Sequence, residues 1–342
     1  MNTLFVTKNN TTIHAYKAGD GDNKVLLIHG NGSDGSFWKP LLDHCPEGVE
    51  MVAPDIRNYG KSKGKAIDAS RSMGDVVDDF LGLIEELGWE NYHIACHSLG
   101  GSVTWEMILK DSTRIKSATV VNPASPFGFG GTHGVDGALN FPDGEGSGGG
   151  VVNPDFVARI KADDRTTDSD NSPLNVMNSY YWEPPFVPKD IDVYLNGLMA
   201  ITIGEEHYPG DFTPSDNYPF TKPGKYGPLN AASPLTKQNI LAELTALKSK
   251  PKVLWVRGGK DKIVSDTSLF DAAFLGTLGA IPGYPGEDVC PPQPMVSQTR
   301  HVLDAYQENG GSYKEEVFEN CGHSPYIEEE QRFRDLFYDW IS

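Results

Sequence analysis

The sequence predicts an α/β protein with a mostly parallel central sheet flanked by helices, and three observations carry that expectation. Apolar strands alternate with helical patterns from residue 24 to residue 121, the signature of parallel strands joined by helical crossovers. The alternation stops at Asn122-Pro123 and resumes near Lys237, which marks an insertion. A serine and two glycines, Ser98-Leu99-Gly100-Gly101, stand where a short apolar strand meets a helical pattern. Such a turn holds its serine out on a sharp backbone and needs small residues two before and two after it.

The elements follow in order. Residues 4–6 and 12–17 read as an opening hairpin, the second strand alternating in period two, and residues 24–28 form a continuous apolar strand. Residues 49–53 give another strand, 73–87 an amphipathic helix, 92–95 the strand before Ser98, and 115–121 the strand after the next helix. Ten glycines lie between Gly128 and Gly150, too many for a regular element. Asn153-Pro154 and Ser172-Pro173 each place a capping side chain before a proline at the first helical position, and residues 190–201 show helical spacing. A stretch rich in proline and aromatics, 207–230, has no periodicity. Beyond it come a helix at 237–247, a strand at 252–256, an irregular insertion at 276–294, a helix near 298–307, a strand near 313–318 and a terminal helix from 328. The expected organisation is a core in two parts, 1–122 and 238–342, with a glycine-rich and helical cap at 123–237, read as a mobile lid over an apolar pocket.

A hydrophobic content of 38% suits a buried core. A formal charge of −18 argues against nucleic acid or an anionic membrane as partner, both of which need a basic surface. Neither a secretory leader nor a membrane span is legible, so the expected compartment is the cytoplasm. The four cysteines lack metal-ligand spacing. Free thiols are expected, with a Cys290–Cys321 bridge the alternative.

Acyl transfer by serine needs a base, a carboxylate to orient that base, and backbone donors for the oxyanion. Ser98 is the candidate nucleophile, His323 in Asn320-Cys-Gly-His-Ser-Pro325 the base, and Asp261 in Arg257-Gly-Gly-Lys-Asp261 the orienting acid. All three follow strands, in the order serine, acid, histidine. The amides of Leu99 and Asn31 are the expected oxyanion donors. Asp266 is the next candidate acid, but is read as the N-cap of a helix following it. Cys96 occupies the position where the elbow pattern G-x-S-x-G expects glycine, and should point down into the sheet. His97 is read as a wall or packing residue and His301 as the weaker histidine. Asp55 and Arg57 are expected to brace one loop. His97, Phe127, Phe129, Tyr181 and Trp182 are candidates for lining a substrate site.

On the turn His29-Gly30, Asp55-x-Arg57-x-x-Gly60-x-Ser62, the elbow at Ser98, Gly258-x-x-Asp261 and Gly322-His323-Ser324-Pro325, the chain resembles the α/β-hydrolase fold with a cap. The resemblance spans nearly the whole chain. It implies hydrolysis of a small-molecule ester or lactone, more rarely an amide or carbon–carbon bond, without cofactor or metal. Serine at the elbow separates the chain from dehalogenases and epoxide hydrolases of the fold, which place aspartate there.

Three other readings stand beside this one. An acyltransferase would use the same triad, and a ligand receptor would use the same fold. Gly30-Asn-Gly32-Ser-Asp-Gly35, with Asp55 twenty residues on, also matches a dinucleotide-binding fingerprint on paper. Against it, two strands precede the fingerprint strand, and the triad would go unexplained. Oligomeric state is not legible.

Overall fold

In the computed structural model, which describes residues 2–8 and 10–342, one eight-stranded sheet organises the chain. Its strands are β1 (Asn2–Lys8), β2 (Thr11–Gly19), β3 (Asn23–Ile28), β4 (Val49–Pro54), β5 (Tyr92–His97), β6 (Ile115–Val121), β7 (Lys252–Gly258) and β8 (Tyr313–Phe318). The spatial order is β1-β2-β4-β3-β5-β6-β7-β8. β1 and β2 form the expected hairpin, β2 pairs antiparallel with β4, and every later pairing is parallel. Crossover helices cover both faces of the parallel strands, so β4 and β5 are buried at every residue, whereas β1 at the edge is largely exposed.

Helix α1 (Gly74–Glu86) buries Val76, Val77, Phe80, Leu83 and Ile84, an apolar stripe at helical spacing. Helix α2 (Gly100–Asp111) leaves the elbow and buries Val103, Met107 and Ile108. The insertion carries the three expected helices, two where the proline signals place them, α3 (Pro154–Lys161) and α4 (Pro173–Tyr180), and one in the stretch of helical spacing, α5 (Ile191–Met199). Asn153 caps α3 through the amide of Asp155, as expected. Ser172 does not cap α4; its hydroxyl accepts from Ser169 N instead.

The aperiodic stretch 207–230 holds short ladders, Tyr208–Pro209 against Ile203–Gly204 and Phe212–Pro214 against Thr221–Pro223, with one helical turn, Pro228–Ala231. Pairings of two or three residues are too short to leave a period. The glycine-rich stretch differs more from expectation. It is tied to two buried glutamines rather than left open. Gln293 accepts from Gly130 N at 2.6 Å and donates to Gly128 O at 3.0 Å, and Gln298 donates to Gly134 O at 3.0 Å. Glycine is needed where this backbone turns left-handed and runs against itself: at Gly130, φ is +82° and a Cβ would stand 2.2 Å from Gly146 O.

Helix α6 (Ile240–Ala246) starts three residues later than expected, because Lys237 closes a short 3₁₀ turn and its ammonium is taken by Glu106 at 2.8 Å. Helix α7 (Met295–Glu308) precedes β8, and Pro325–Glu328 forms a single turn before the terminal helix α8 (Glu330–Ile341). All four cysteines are free. Cys290 packs with Tyr218 and Ala273, whereas Cys321 belongs to the main core, so the alternative bridge does not form. Among the described residues, no helix is long and apolar enough to cross a membrane.

Candidate active site

Ser98 follows the last residue of β5 with φ +53°, a left-handed backbone that L-residues rarely adopt. The turn closes because its neighbours have no room for side chains. A Cβ on Gly100 would stand 2.8 Å from the carbonyl oxygens of Ile28 and His29, and one on Gly101 would stand 2.6 Å from Pro123 Cβ. Cys96 is fully buried beneath the turn, and burial pushes its thiol up to about 12, which makes it a packing residue. Ser98 itself is half-buried, more open than Asp261 or His323.

Asp261 lies three residues beyond β7, in the loop that leaves the carboxyl edge of the sheet. Its Oδ1 accepts from the amides of Ile263 and Val264 at 2.7 and 3.1 Å, which fixes the carboxylate and leaves Oδ2 for His323 Nδ1 at 2.8 Å. With Nδ1 donating to the carboxylate, His323 Nε2 is the free basic nitrogen. Among the described residues Ser98 Oγ makes no hydrogen bond to His323; such bonds are commonly loose until substrate is bound.

Asp266 makes no hydrogen bond to His323 among the described residues. Nor does it cap the helix that follows it, Ala272–Thr277, which is capped by Asp271. Asp266 reaches across to α7, where Oδ1 accepts from Val296 N and Ser297 N at 2.8 and 3.0 Å.

Gly30 brings the turn after β3 against the elbow: a Cβ there would stand 2.9 Å from Ser98 Cβ. Tyr59 donates to Asn31 Oδ1 at 2.9 Å and orients that turn. His29 accepts from Ile56 N through Nε2 and faces Gly30 O with Nδ1, both at 2.8 Å. Burial holds its pKa down to about 4, so it is a neutral brace. Among the described residues the amides of Asn31 and Leu99 donate to no protein acceptor, as oxyanion donors should be before substrate binds.

His97 packs its ring 4.5 Å from that of His323 and donates from Nε2 to His323 O at 2.8 Å. Burial, reinforced by the neighbouring His323, pushes its pKa far down. Its role is elbow packing. Tyr181 and Trp182 lie at the site's loops: Tyr181 donates to Gly32 O at 3.1 Å, and a Cβ on Gly322 would strike the Trp182 backbone at 2.8 Å. Phe127 packs on Gly137, and the backbone amide of Phe129 donates to Ala232 O, both partners lying within the insertion. Arg57 does not brace a loop with Asp55. It forms a bidentate pair with Asp79, while Asp55 is held by His14, Gly35 N and Lys61 N. His301 lies in α7.

Two positioning residues have no sequence signature that singles them out. Asn122, at φ +39° just past β6, donates to Gly322 O and His323 O at 3.2 and 2.8 Å and accepts from Gly258 N at 3.0 Å. It clasps the loops of the acid and the base together. Glu328 accepts from Gly322 N at 2.9 Å and from Glu183 N at 2.9 Å, joining the His323 loop to the insertion.

The dinucleotide reading finds no support in this geometry. Gly35 opens a 3₁₀ turn, Gly35–Trp38, that runs into one α-helical turn, Lys39–Leu42, and its N-terminus is already capped by Asp34, which accepts from Ser36 N at 2.9 Å. Asp55 is fully buried and its oxygens are taken, so it is not free for a ribose. Gly32 is covered by Tyr181, whose hydroxyl would stand 2.0 Å from a Cβ there.

A family model described as the alpha/beta hydrolase family matches residues 25–336. The chain belongs to that family. It resembles epoxide hydrolase 3 of Siraitia grosvenorii, 31% identical over 132 residues, or 36% of this chain and 42% of that protein. It spans 29–42% of the length of several curated relatives, so these likenesses bear on the shared segment. Among solved structures it is similar to the enol-lactonase from Burkholderia xenovorans LB400, with TM-score 0.58, 15% identity and 99% of each chain covered. It is also similar to a carboxylesterase from Bacillus subtilis, with TM-score 0.58, 15% identity, and 98% of this chain and 90% of that one covered. At these identities the structural likeness establishes the fold.

Proposed function

We propose that this α/β hydrolase cleaves a carboxylic ester or lactone of a small molecule through an acyl-enzyme on Ser98. The observation that carries the proposal is the buried Asp261–His323 pair at 2.8 Å, on loops at the same sheet edge as a serine held at φ +53°. His323 Nε2 takes the Ser98 proton as Oγ attacks the carbonyl carbon. The oxyanion forms against the Leu99 and Asn31 amides, a donor pair for which each member is typically worth roughly 2.7–4 kcal/mol of barrier. His323 returns the proton to the leaving alkoxide, then activates the water that releases the acid. Asp261 keeps the imidazole in the required tautomer. These steps use the side chains and amides named and no further group.

In the same proposal, residues 123–237 act as a cap, with Tyr181 and Trp182 nearest the acyl or alcohol part of the substrate. The free thiols favour a reducing compartment such as the cytoplasm.

Treatment with a fluorophosphonate, followed by peptide mapping, tests the mechanism without knowledge of the substrate. The expected result is one adduct on Ser98, absent in His323→Ala, and no turnover in Ser98→Ala on any ester or lactone that the native protein hydrolyses. A folded protein that takes no label would transfer the assignment to a ligand receptor on this fold.

A further inference from the structure

The turn His29-Gly30-Asn31-Gly32-Ser33 supplies one of the two proposed oxyanion donors, yet its sequence leaves the direction of that donor open. The Asn31 N–H belongs to the peptide between Gly30 and Asn31. Rotating this peptide by half a turn changes ψ at Gly30 and φ at Asn31, and glycine and asparagine are the residues that most readily accept left-handed backbone. The peptide is trans, so its C=O and N–H point to opposite sides. In the flipped form Gly30 O would face Ser98 in place of the N–H, setting an acceptor against a developing negative charge.

The same turn carries the groups that oppose the flip. Ser33 Oγ donates to Gly30 O at 2.8 Å, and His29 Nδ1 lies 2.8 Å from the same oxygen and 3.2 Å from Ser33 Oγ. Ile56 N donates to His29 Nε2 at 2.8 Å, so the neutral ring carries its proton on Nδ1 and donates toward Gly30 O. His29 is fully buried and Ser33 is 1% exposed. A flip would strand two buried donors at once.

A serine hydroxyl that bonds a carbonyl three residues back also closes ordinary turns, and that alone would make Ser33 a structural tie. Two observations go further. The carbonyl belongs to the peptide whose N–H the proposed mechanism uses, and among the described residues that N–H has no protein acceptor. All the hydrogen bonding that orients the peptide therefore falls on its carbonyl side. Gly30 also lies against the nucleophile, since a Cβ there would stand 2.9 Å from Ser98 Cβ and 3.2 Å from His97 O.

We propose that Ser33 is a positioning residue of the oxyanion hole. With His29 it holds Gly30 O away from Ser98, and so keeps the Asn31 N–H aimed to the nucleophile's side before substrate arrives. Donors at the carbonyl also polarise the peptide and strengthen its N–H. The inference rests on the serine-hydrolase reading given above. Ser33 acts through the peptide and not on the substrate.

The test is the kinetics of Ser98 labelling by a fluorophosphonate in the full chain, resolved into KI and kinact, with urea unfolding measured in parallel. Phosphonylation develops its negative oxygen in the hole, so Ser33→Ala should lower kinact roughly tenfold, near the upper end for one neutral hydrogen bond, with KI unchanged. Ser33→Cys fills nearly the same space with a weak donor and should be slowed alike; it decides if the alanine variant does not fold. Wild-type kinact in a folded variant would overturn the inference while leaving the Ser98 reading intact. A change confined to KI would overturn it too, by making Ser33 part of the pocket wall. A wild-type protein that takes no label would remove the hydrolase reading and this inference with it.

Discussion

The carbonyl oxygen of His323 is held from two sides, by Asn122 Nδ2 and His97 Nε2, each at 2.8 Å. Asn122 also receives Gly258 N, so one side chain sets the spacing between the strand leading to the acid and the loop carrying the base. Asn122→Ala should leave a buried amide and two carbonyls with fewer partners and place a side chain without local hydrogen bonds at φ +39°. The expected cost is roughly 2–3 kcal/mol of stability, read by urea unfolding, with kcat reduced and KM nearly unchanged. An unchanged kcat would reduce Asn122 to a purely structural tie. Ser98 and His323 stand out in the sequence as candidates because each sits in a short motif next to a strand. Asn122 does not, because its partners lie 136 and 201 residues further along the chain.

Asp261 and Asp266 have the same chemistry five residues apart, and only the elements they face separate them. Asp261 faces His323, whereas Asp266 fills the N-terminal amides of α7, where the chain itself offers only Pro294 as cap. Asp261→Asn should lower kcat by roughly 10⁴ by disturbing the imidazole tautomer. Asp266→Ala should cost about 1 kcal/mol of stability and leave kcat unchanged. The reverse pattern in paired kinetics and unfolding curves would reassign the acid. The glycine-rich segment makes a second case at this scale. Its composition reads as a mobile lid, but mobility requires backbone groups left to solvent, and here Gln293 and Gln298 occupy them. Amide exchange at Gly130 should therefore be slow, comparable with the central strands. Exchange as fast as at an exposed loop would restore the lid.

Across the whole molecule, buried titratable groups act on stability in opposite directions. Burial holds His29 and His93 down to about 4 and His97 well below its usual value. The unfolded chain, with histidines near 6.5, therefore binds more protons than the native state above about pH 4, and these groups raise stability as pH climbs to 6.5. Burial lifts Asp34 and Asp271 to about 6. The native state then binds the extra protons between about pH 4 and 6, so these two groups lower stability across nearly the same window. Asp271→Asn removes one opposing contribution, worth roughly 3 kcal/mol at most, while keeping one acceptor oxygen, enough for Phe274 N and Gln293 N at the expense of Ala273 N. The variant is less stable overall, but its urea midpoint should rise more steeply with pH than that of wild type from pH 4.5 to 6.5. Parallel slopes would show that Asp271 is ionised in the native state throughout.

The sequence by itself determined the strand–helix alternation, the antiparallel opening hairpin, the elbow turn and the order in which Ser98, Asp261 and His323 follow their strands. These depend on periodicity and steric need within a few consecutive residues, as where Gly100 and Gly101 must leave room for Ile28, His29 and Pro123. The tertiary structure alone decided that Arg57 pairs with Asp79, that Asp266 serves α7, that Gln293 and Gln298 fix the glycine-rich chain, and that Glu328 joins the His323 loop to the insertion. In each of these a side-chain hydrogen-bonding group meets a partner brought alongside by chain crossovers. No local pattern specifies such a meeting, because the side chain's capacity to bond is the same wherever the fold delivers it.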